Sequence, residues 1–386
     1  MKILMVHPHE VYSSSEPWTT RIINLAKALA KRGHEVRIVF FPLDWQGKYE
    51  CFRKEGIGLY PFCRRTGVLN ILRNTKEMLG LADWADVVHL QKCFHYASLP
   101  SIICGFFKNK PLHYDWDDWE EMIYYESADP PLKAIGLFLK TLEKNIPRIA
   151  DTISVSSGKL RSLCLSLGIK QDRIFHVPVG ADLQKFNPGI SGERIRSVYG
   201  ISSPLILYLG QLHGGQYVRL FIDSARIILD KGIAANFMIV GDGARAHELR
   251  QYAKDRNLDK KIIFTGTVES EDVPEYIAAC NVAVACFEDN LVTRCKSPLK
   301  IAEYLASGKP IVASNVGEVE SMVNGAGILV EAGKSVPLAE KIEFLLYNKS
   351  IREKLGKEAR IRAENIYNWE KSSEVLLNAY KTALNR

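Results

Sequence analysis

The densest chemistry-bearing stretch of the sequence is Lys296-Ser297-Pro298-Leu299-Lys300-Ile301-Ala302-Glu303, which runs on into Tyr304-Leu305-Ala306-Ser307-Gly308-Lys309-Pro310. Ser297 is of the type that caps a helix, and Pro298 suits a first helical position. A helix beginning there points its unpaired N–H groups outward between Lys296 and Lys300. Dipole, amides and two ammonium groups together suit a diphosphate. Glu303, about one turn further on, is spaced to accept a pair of hydrogen bonds from vicinal hydroxyls, as on a ribose. Most Ser-Pro-x-Lys strings are only capped surface helices with a solvated glutamate. The Gly-Lys-Pro turn and the apolar run Ile311–Ala313 directly after this one weaken that reading.

Two glycine-bearing turns follow apolar runs. Leu205–Leu209 leads into Gly210-Gln211-Leu212-His213-Gly214-Gly215, and Phe237–Val240 leads into Gly241-Asp242-Gly243. Glycine after a strand lets a phosphate come close to the backbone. Either run alone reads equally well as a tight turn; two in successive units point to a phosphate or sugar site. Near the N-terminus, His7-Pro8-His9 and then Ser13-Ser14-Ser15-Glu16-Pro17 follow the first apolar run. No G-x-G-x-x-G occurs there, which disfavours a dinucleotide cofactor and leaves an ordinary polar loop or a substrate-binding loop. Trp116-Asp117-Asp118-Trp119 sets two carboxylates between indoles, either a capped, solvated loop or a cleft where a sugar stacks. Cys295 has no histidine near it in sequence, so packing suits it better than nucleophilic chemistry.

What must position these residues is a rhythm of short apolar runs, turns and amphipathic helices. Lys2–Val6 reads as a buried strand, Thr19–Lys31 as a helix with Ile22, Ile23, Ala26 and Leu29 on one face, and Val36–Phe41 as the next strand. The pattern recurs at Asp86–Leu90, Thr152–Val155 and Ile174–Val177. A polar, turn-rich stretch over 187–203 suits a domain boundary. Beyond it come Leu205–Leu209, Phe237–Val240, Ile262–Phe264, Val282–Cys286, Ile311–Ala313 and Ile328–Val330, then helical segments at 337–347, 350–366 and 369–384. Strands alternating with helices imply an α/β chain with parallel sheets covered on both faces, here two Rossmann-like domains. Ligands in such sheets bind beyond the carboxyl ends of the strands.

Length and composition bound the rest. The chain has 386 residues, enough for two to three domains, with 47% apolar and 25% charged residues, which excludes a disordered, collagenous or coiled-coil protein. Lys and Arg number 51 against 44 Asp and Glu, a mild excess that fits anionic small molecules or an anionic membrane surface better than nucleic acid. Eight scattered cysteines without a CxxC pair read as a reduced, cytosolic protein with no structural metal. MKILMVHPHE runs directly into a strand, so no signal peptide is expected, and no segment is long and apolar enough to cross a bilayer.

KSPLKIAEYLASGKPIVAS resembles the donor-site signature of family-4 retaining glycosyltransferases of the GT-B fold. LAKALAKRGHEVRIV, WADVVHLQ, RIFHVPVGADLQKFNP, FMIVGDGARAHELRQYA and IIFTGTVESEDVPEYIAACNVAV resemble other segments of that family, in its order. The resemblance implies two Rossmann-like domains facing each other across a cleft. The N-terminal, acceptor-side domain spans 1–190 plus about 369–386, its last helix crossing back, and the nucleotide-sugar-binding domain spans 191–368. It also implies a nucleoside-diphosphate sugar as donor substrate with no further cofactor, and a glycan, lipid-linked or other hydroxyl acceptor. The resemblance further implies that the anomeric configuration is retained, in cell-envelope or polysaccharide synthesis. The helix resembling Ser297–Ser307, with Leu299 and Lys300, holds the diphosphate; Glu303 holds the ribose; Val268 of Gly266-Thr267-Val268 lies against the base; and Gly210, Gln211, Gly241 and Gly243 line the donor. Lys300 stabilises the leaving charge, Asp117 or Asp118 orients the acceptor or a donor hydroxyl, and no metal is required.

Departures from the family pattern are specific. Cys295 stands where the family's E-x7-E pair has its first Glu, Gln211 and the His213–Gln216 stretch replace an Arg and a Lys, Ser13–Pro17 replaces a Gly-Gly loop, and Asp117 occupies a His place. Lys296, Lys300 and Arg294 are the cations at hand to make up the lost charge. These departures leave open a weakly active or inactive relative that binds a glycan or partner, and a GT-B nucleotide-sugar enzyme of other chemistry. Pro131–Arg148 reads as an amphipathic helix with a Leu132, Ile135, Leu139, Leu142 stripe among Lys133, Lys140, Lys144 and Arg148. It either packs on its own sheet or makes a peripheral contact with anionic lipid at the inner face of the membrane.

Overall fold

Short apolar runs form the strands, and most are buried along nearly their full length because helices cover both faces of the sheets. The computed structural model describes residues 1–12, 19–44, 50–127, 132–212 and 216–386. It divides into two units, Met1–Pro178 with Trp369–Arg386, and Val179–Asn368. Within the first, among the described residues, lie β1 (Lys2–Val6), β2 (Glu35–Phe40), β3 (Phe52–Lys54), β4 (Ile57–Pro61), β5 (Val87–Gln91), β6 (Leu112–Trp116), β7 (Thr152–Val155) and β8 (Ile174–His176). They make one sheet in the order β3-β4-β2-β1-β5-β6-β7-β8, parallel except for β3, which runs antiparallel to β4.

The second unit holds β9 (Leu205–Leu209), β10 (Asn236–Val240), β11 (Ile262–Gly266), β12 (Val282–Ala285), β13 (Ile311–Asn315) and β14 (Gly327–Glu331). Their order is β11-β10-β9-β12-β13-β14, parallel throughout. This is the α/β class with two Rossmann-like, mainly parallel sheets that the sequence pattern implies. In each sheet the strand order reverses once near the middle, beside β1 and beside β9, so the loops after those strands splay apart and leave room for a ligand.

The dividing point falls at Pro178–Val179, ahead of the turn-rich stretch that suggested a boundary near 190. The intervening residues are tied to the second unit: Ala181 donates its N–H to the Tyr367 carbonyl at 2.9 Å, and the Phe186 carbonyl accepts from Arg360 at 3.0 Å. The last helix, Trp369–Leu384, belongs to the first unit. Its Tyr380 hydroxyl lies 2.7 Å from His89 Nδ1, and Ser372 donates to the Pro178 carbonyl at 2.8 Å.

The basic amphipathic helix spans Lys133–Ile149, and its faces differ from the expected stripe. Gly136, Leu139, Glu143, Ile146 and Pro147 are buried, whereas Leu132 just before it and Ile135, Leu137 and Phe138 within it are exposed. Gly136 lets the Glu120–Ser127 helix pack close, since a Cβ there would lie 2.2 Å from the Tyr125 ring. Among the described residues no helix is long and apolar enough to cross a membrane, and no disulfide joins any of the eight cysteines.

Candidate functional site

In the second unit the sequence-singled residues gather at the carboxyl ends of β9, β10 and β11 and at the start of the Leu299–Ala306 helix. Gly210 has φ 144° and Gly241 φ 132°, conformations that favour glycine. A Cβ on Gly210 would lie 2.6 Å from Lys300 Nζ, and one on Gly241 would lie 2.1 Å from the Gly210 carbonyl oxygen. A Cβ on Gly243 would lie 2.7 Å from the Leu212 carbonyl carbon. What these glycines admit is therefore the neighbouring loop and the Lys300 side chain. Gly210 N–H to the Val240 carbonyl (2.9 Å), Leu212 N–H to Asp242 (2.9 Å) and Gly241 N–H to Gly266 (3.0 Å) stitch the three loops into one floor. Gln211 is exposed and Val268 half-buried on the segment after β11. Residues 13–17 and His213–Gly215 lie outside the described residues.

The helix itself begins at Leu299, with Pro298 as its N-cap. Ser297 does not cap it: the hydroxyl points to Met322 Sδ at 3.8 Å, and among the described residues no side chain bonds the first turn. The proline's fixed φ starts the helix without help from the serine. Its leading N–H groups are thus left without a side-chain partner.

Lys300 lays its ammonium 4.0 Å from the centre of the Tyr208 ring and makes no ion pair among the described residues. Burial, with help from Lys296, pushes its pKa down to about 8, against the opposing pull of Cys286 and Glu303. One turn on, Glu303 also lacks an ion-pair or hydrogen-bond partner among the described residues. Burial pushes its carboxyl up to about 7, opposed by Lys185 and Lys300. A cation and an acid, both half-buried and both unpaired among the described residues, lie one turn apart on this helix, an arrangement that fits a ligand bringing its own anion and hydroxyls. Arg294 does not add to this charge, because Asp289 holds it at 2.5 and 2.8 Å. Cys295 is 1% exposed, a packing residue.

In the first unit, Asp117 and Asp118 lie just past β6. Asp117 is 9% exposed and accepts from Gln91 Nε2 at 2.9 Å, while Gln91 Oε1 lies 2.6 Å from His7 Nδ1. Burial raises the Asp117 carboxyl to about 7, against the pull of Lys92 and with Asp118 and Asp115 adding to the rise. Trp116 is no stacking platform: it is buried, and its indole N–H donates to Glu143 at 3.2 Å. Glu143 also accepts the N–H groups of Glu120 (2.8 Å) and Glu121 (2.9 Å), capping the next helix from a distance, and burial raises its carboxyl to about 8. Sequence reasoning missed Gln91, Lys92 and Glu120 here. The rule that ligand residues follow strands would have found Lys92, the residue directly after β5.

Two family models divide the chain between them: Glycosyltransferase Family 4 matches residues 19–185, and Glycosyl transferases group 1 matches residues 203–348. The chain belongs to the family-4 glycosyltransferases of the GT-B fold. Among curated relatives, this glycosyltransferase is 21% identical over 385 residues to alpha-D-kanosaminyltransferase of Streptomyces kanamyceticus, covering 97% of this chain and 95% of that one. It is 27% identical over 272 residues to D-inositol 3-phosphate glycosyltransferase of Nocardia farcinica, covering 67% of this chain and 57% of that protein's length. Among solved structures it superposes on sucrose-phosphate synthase of Thermosynechococcus elongatus with a TM-score of 0.75 at 18% identity, covering 99% and 98% of the two chains. It superposes on Anabaena HepE in complex with UDP and glucose with a TM-score of 0.73 at 17% identity, covering 98% of each.

Proposed function

We propose that this glycosyltransferase moves a sugar from a nucleoside diphosphate, uridine diphosphate being the first to test, to a hydroxyl of a glycan or lipid-linked acceptor, with retention. The observation that carries the reading is the uncapped Leu299 helix start with Lys300 and Glu303 both unpaired beside it. The diphosphate would sit on the Leu299 and Lys300 amides and the Lys300 ammonium, and Glu303 would take two ribose hydroxyls. Gly210, Gln211, Gly241 and Gly243 would form the floor beneath the sugar and phosphates, and Val268 would lie against the base. HepE was captured with UDP and glucose, which supports uridine as the base to try.

In the reaction the bond from the sugar's anomeric carbon to the phosphate oxygen breaks, its electron pair leaving on the phosphate. The acceptor oxygen bonds that carbon on the same face, and its proton passes to the departing phosphate oxygen. The protein's part is to position the partners and to stabilise the phosphate's developing charge, which falls to Lys300 and the helix amides. In the first unit Asp117 or Asp118 would orient the acceptor or a sugar hydroxyl. A thermal-shift screen with UDP, GDP and ADP tests donor binding: a selective rise with one of them is expected, and no rise with any defeats the reading.

A cell-envelope role is supported by similarity to a diphosphoundecaprenol galactosyltransferase of Escherichia coli and to alpha-monoglucosyldiacylglycerol synthase of Streptococcus pneumoniae. On the Lys133–Ile149 helix, Leu137 is 62% and Phe138 44% exposed, beside exposed Lys133, Lys144 and Arg148. Apolar side chains within a basic surround suit the plane of an anionic bilayer. Co-sedimentation with vesicles of phosphatidylglycerol at low salt is expected, and Leu137→Asp with Phe138→Asp should weaken it at least about tenfold. Equal pelleting of both proteins, or none on anionic lipid, would rule out this attachment.

A further inference from the structure

Lys92 stands directly after β5 with φ 63°, in the left-handed region where lysine is uncommon. Its side chain is 4% exposed, and its ammonium faces three acids: Asp117 Oδ1 at 3.5 Å, Asp118 Oδ2 at 3.3 Å, and Glu120 Oε1 closer still. Oxygens of these three carboxylates lie within 4.8 Å of one another. Carboxylates so close and so poorly hydrated repel one another unless a cation stands among them. Arg21, on the helix Thr20–Lys31, is committed to Asp115 through two hydrogen bonds of 2.8 Å.

We propose that Lys92 is a positioning residue, an internal counter-cation that gathers Asp117, Asp118 and Glu120 and so sets the direction of the Asp117–Asp118 turn beyond β6. Its bearing on catalysis rests on the reading of Asp117 and Asp118 given above; the counter-cation role itself rests on the contacts. Each acid has a second anchor or an open side. Gln91 holds Asp117 from the end of β5, and Glu143 holds the backbone N–H of Glu120. Asp118, at 29% exposed, is the member with a face left for a substrate hydroxyl. β5 and β6 pair in parallel with Gln91 opposite Asp115, so two adjacent residues at one strand end, Gln91 and Lys92, aim the loop of the next.

The test uses the full chain and two readouts that do not depend on knowing the acceptor. Lys92→Ser leaves a trio of carboxylates of the kind that takes a divalent cation. Followed by electron paramagnetic resonance, it is expected to bind one Mn²⁺ at least about tenfold more tightly than the unaltered protein, and Asp118→Asn added to it should abolish the gain. Mn²⁺ binding equal to that of the unaltered protein overturns the counter-cation role. The second readout is a thermal cycle with Lys92→Gln, which keeps most of the side-chain volume. Asp118→Asn should lower the melting midpoint in the unaltered protein but raise it by about 3 °C in the Lys92→Gln background, because there it relieves repulsion. A fall in both backgrounds overturns the proposal, and the cycle decides it should Lys92→Ser fail to fold. If instead Asp117→Asn and Asp118→Asn leave turnover of the accepted donor unchanged while both readouts behave as expected, only the catalytic reading of those acids fails.

Discussion

Lys300→Ala is expected to lower donor turnover by about 10²- to 10³-fold, the usual cost of deleting one preorganised group that stabilises developing charge. The loss should come without a loss of stability. Burial already disfavours the charged form of Lys300, pushing its pKa down to about 8 from the ordinary lysine value. The folded state therefore binds that proton more weakly than the unfolded chain, so in the unaltered protein stability rises with pH from about 8 up to the ordinary lysine range. Alanine removes that penalty along with the Tyr208 contact, and the melting midpoint at pH 7 should stay level or rise. A group retained at a cost to folding is better explained by ligand binding than by packing.

The same pair predicts a pH window for nucleotide affinity. Lys300 is charged below about 8, and Glu303 is ionised above about 7. Affinity for UDP, measured by titration calorimetry, should peak between those values, weakening on the alkaline side as the ammonium is lost and on the acid side as the carboxylate is lost. Measuring binding keeps Asp117, also near 7, out of the acid limb. Glu303→Gln should remove that limb and leave the alkaline one. Unchanged turnover in both Lys300→Ala and Glu303→Ala would defeat the donor-site assignment.

How far the site was legible follows from what local sequence can and cannot encode. Strands such as Leu205–Leu209 were legible because an apolar run buried on both faces needs no partner to be recognised, and so was the helix carrying Lys300 and Glu303 at a spacing of one turn. The β3–β4 hairpin was not, since β4 contains Gly58 and ends on Pro61 and so looks like loop. Ser297 was misread as a cap because what decides its rotamer is Met322, far along the chain. Arg294 looked like a free cation until Asp289 folded back on it, and Trp116 looked like a sugar platform until Glu143 took its indole N–H. Buried charge is the general blind spot: nothing local marks Lys92 as enclosed, because its three acids sit beyond the next strand, two on its turn and one on the following helix.

Arg21→Met should be among the most destabilising single changes in the first unit, by about 3–5 kcal/mol, because it strands a buried charge. Asp115 is fully buried in the middle of the sheet and accepts two hydrogen bonds from Arg21 at 2.8 Å each and one from Ser154 at 2.5 Å. Arg21 and its companions hold that carboxyl well below the usual range despite burial. His89 beside it cannot substitute as the cation, since burial lowers its pKa to about 4. Without the guanidinium the balance reverses, and burial should push the Asp115 carboxyl above its unfolded value. A raised acid destabilises the fold at pH above the unfolded pKa and is relieved as the group protonates. The deficit of Arg21→Met relative to the unaltered protein should therefore be largest near pH 7.5 and already shrink towards pH 4, above the pH range in which deleting an ordinary carboxylate salt bridge loses its effect. Arg21→Met with Asp115→Leu should recover much of the loss, as replacing a whole buried pair by apolar groups is often close to neutral. Because Asp115 lies in β6 two residues before Asp117, its pair with Arg21 also holds the strand end from which the Asp117–Asp118 turn departs. Chemical denaturation across that pH range decides the matter: a deficit that is constant with pH, or a double variant no better than Arg21→Met, would show that the helix contact of Arg21 matters and its charge does not.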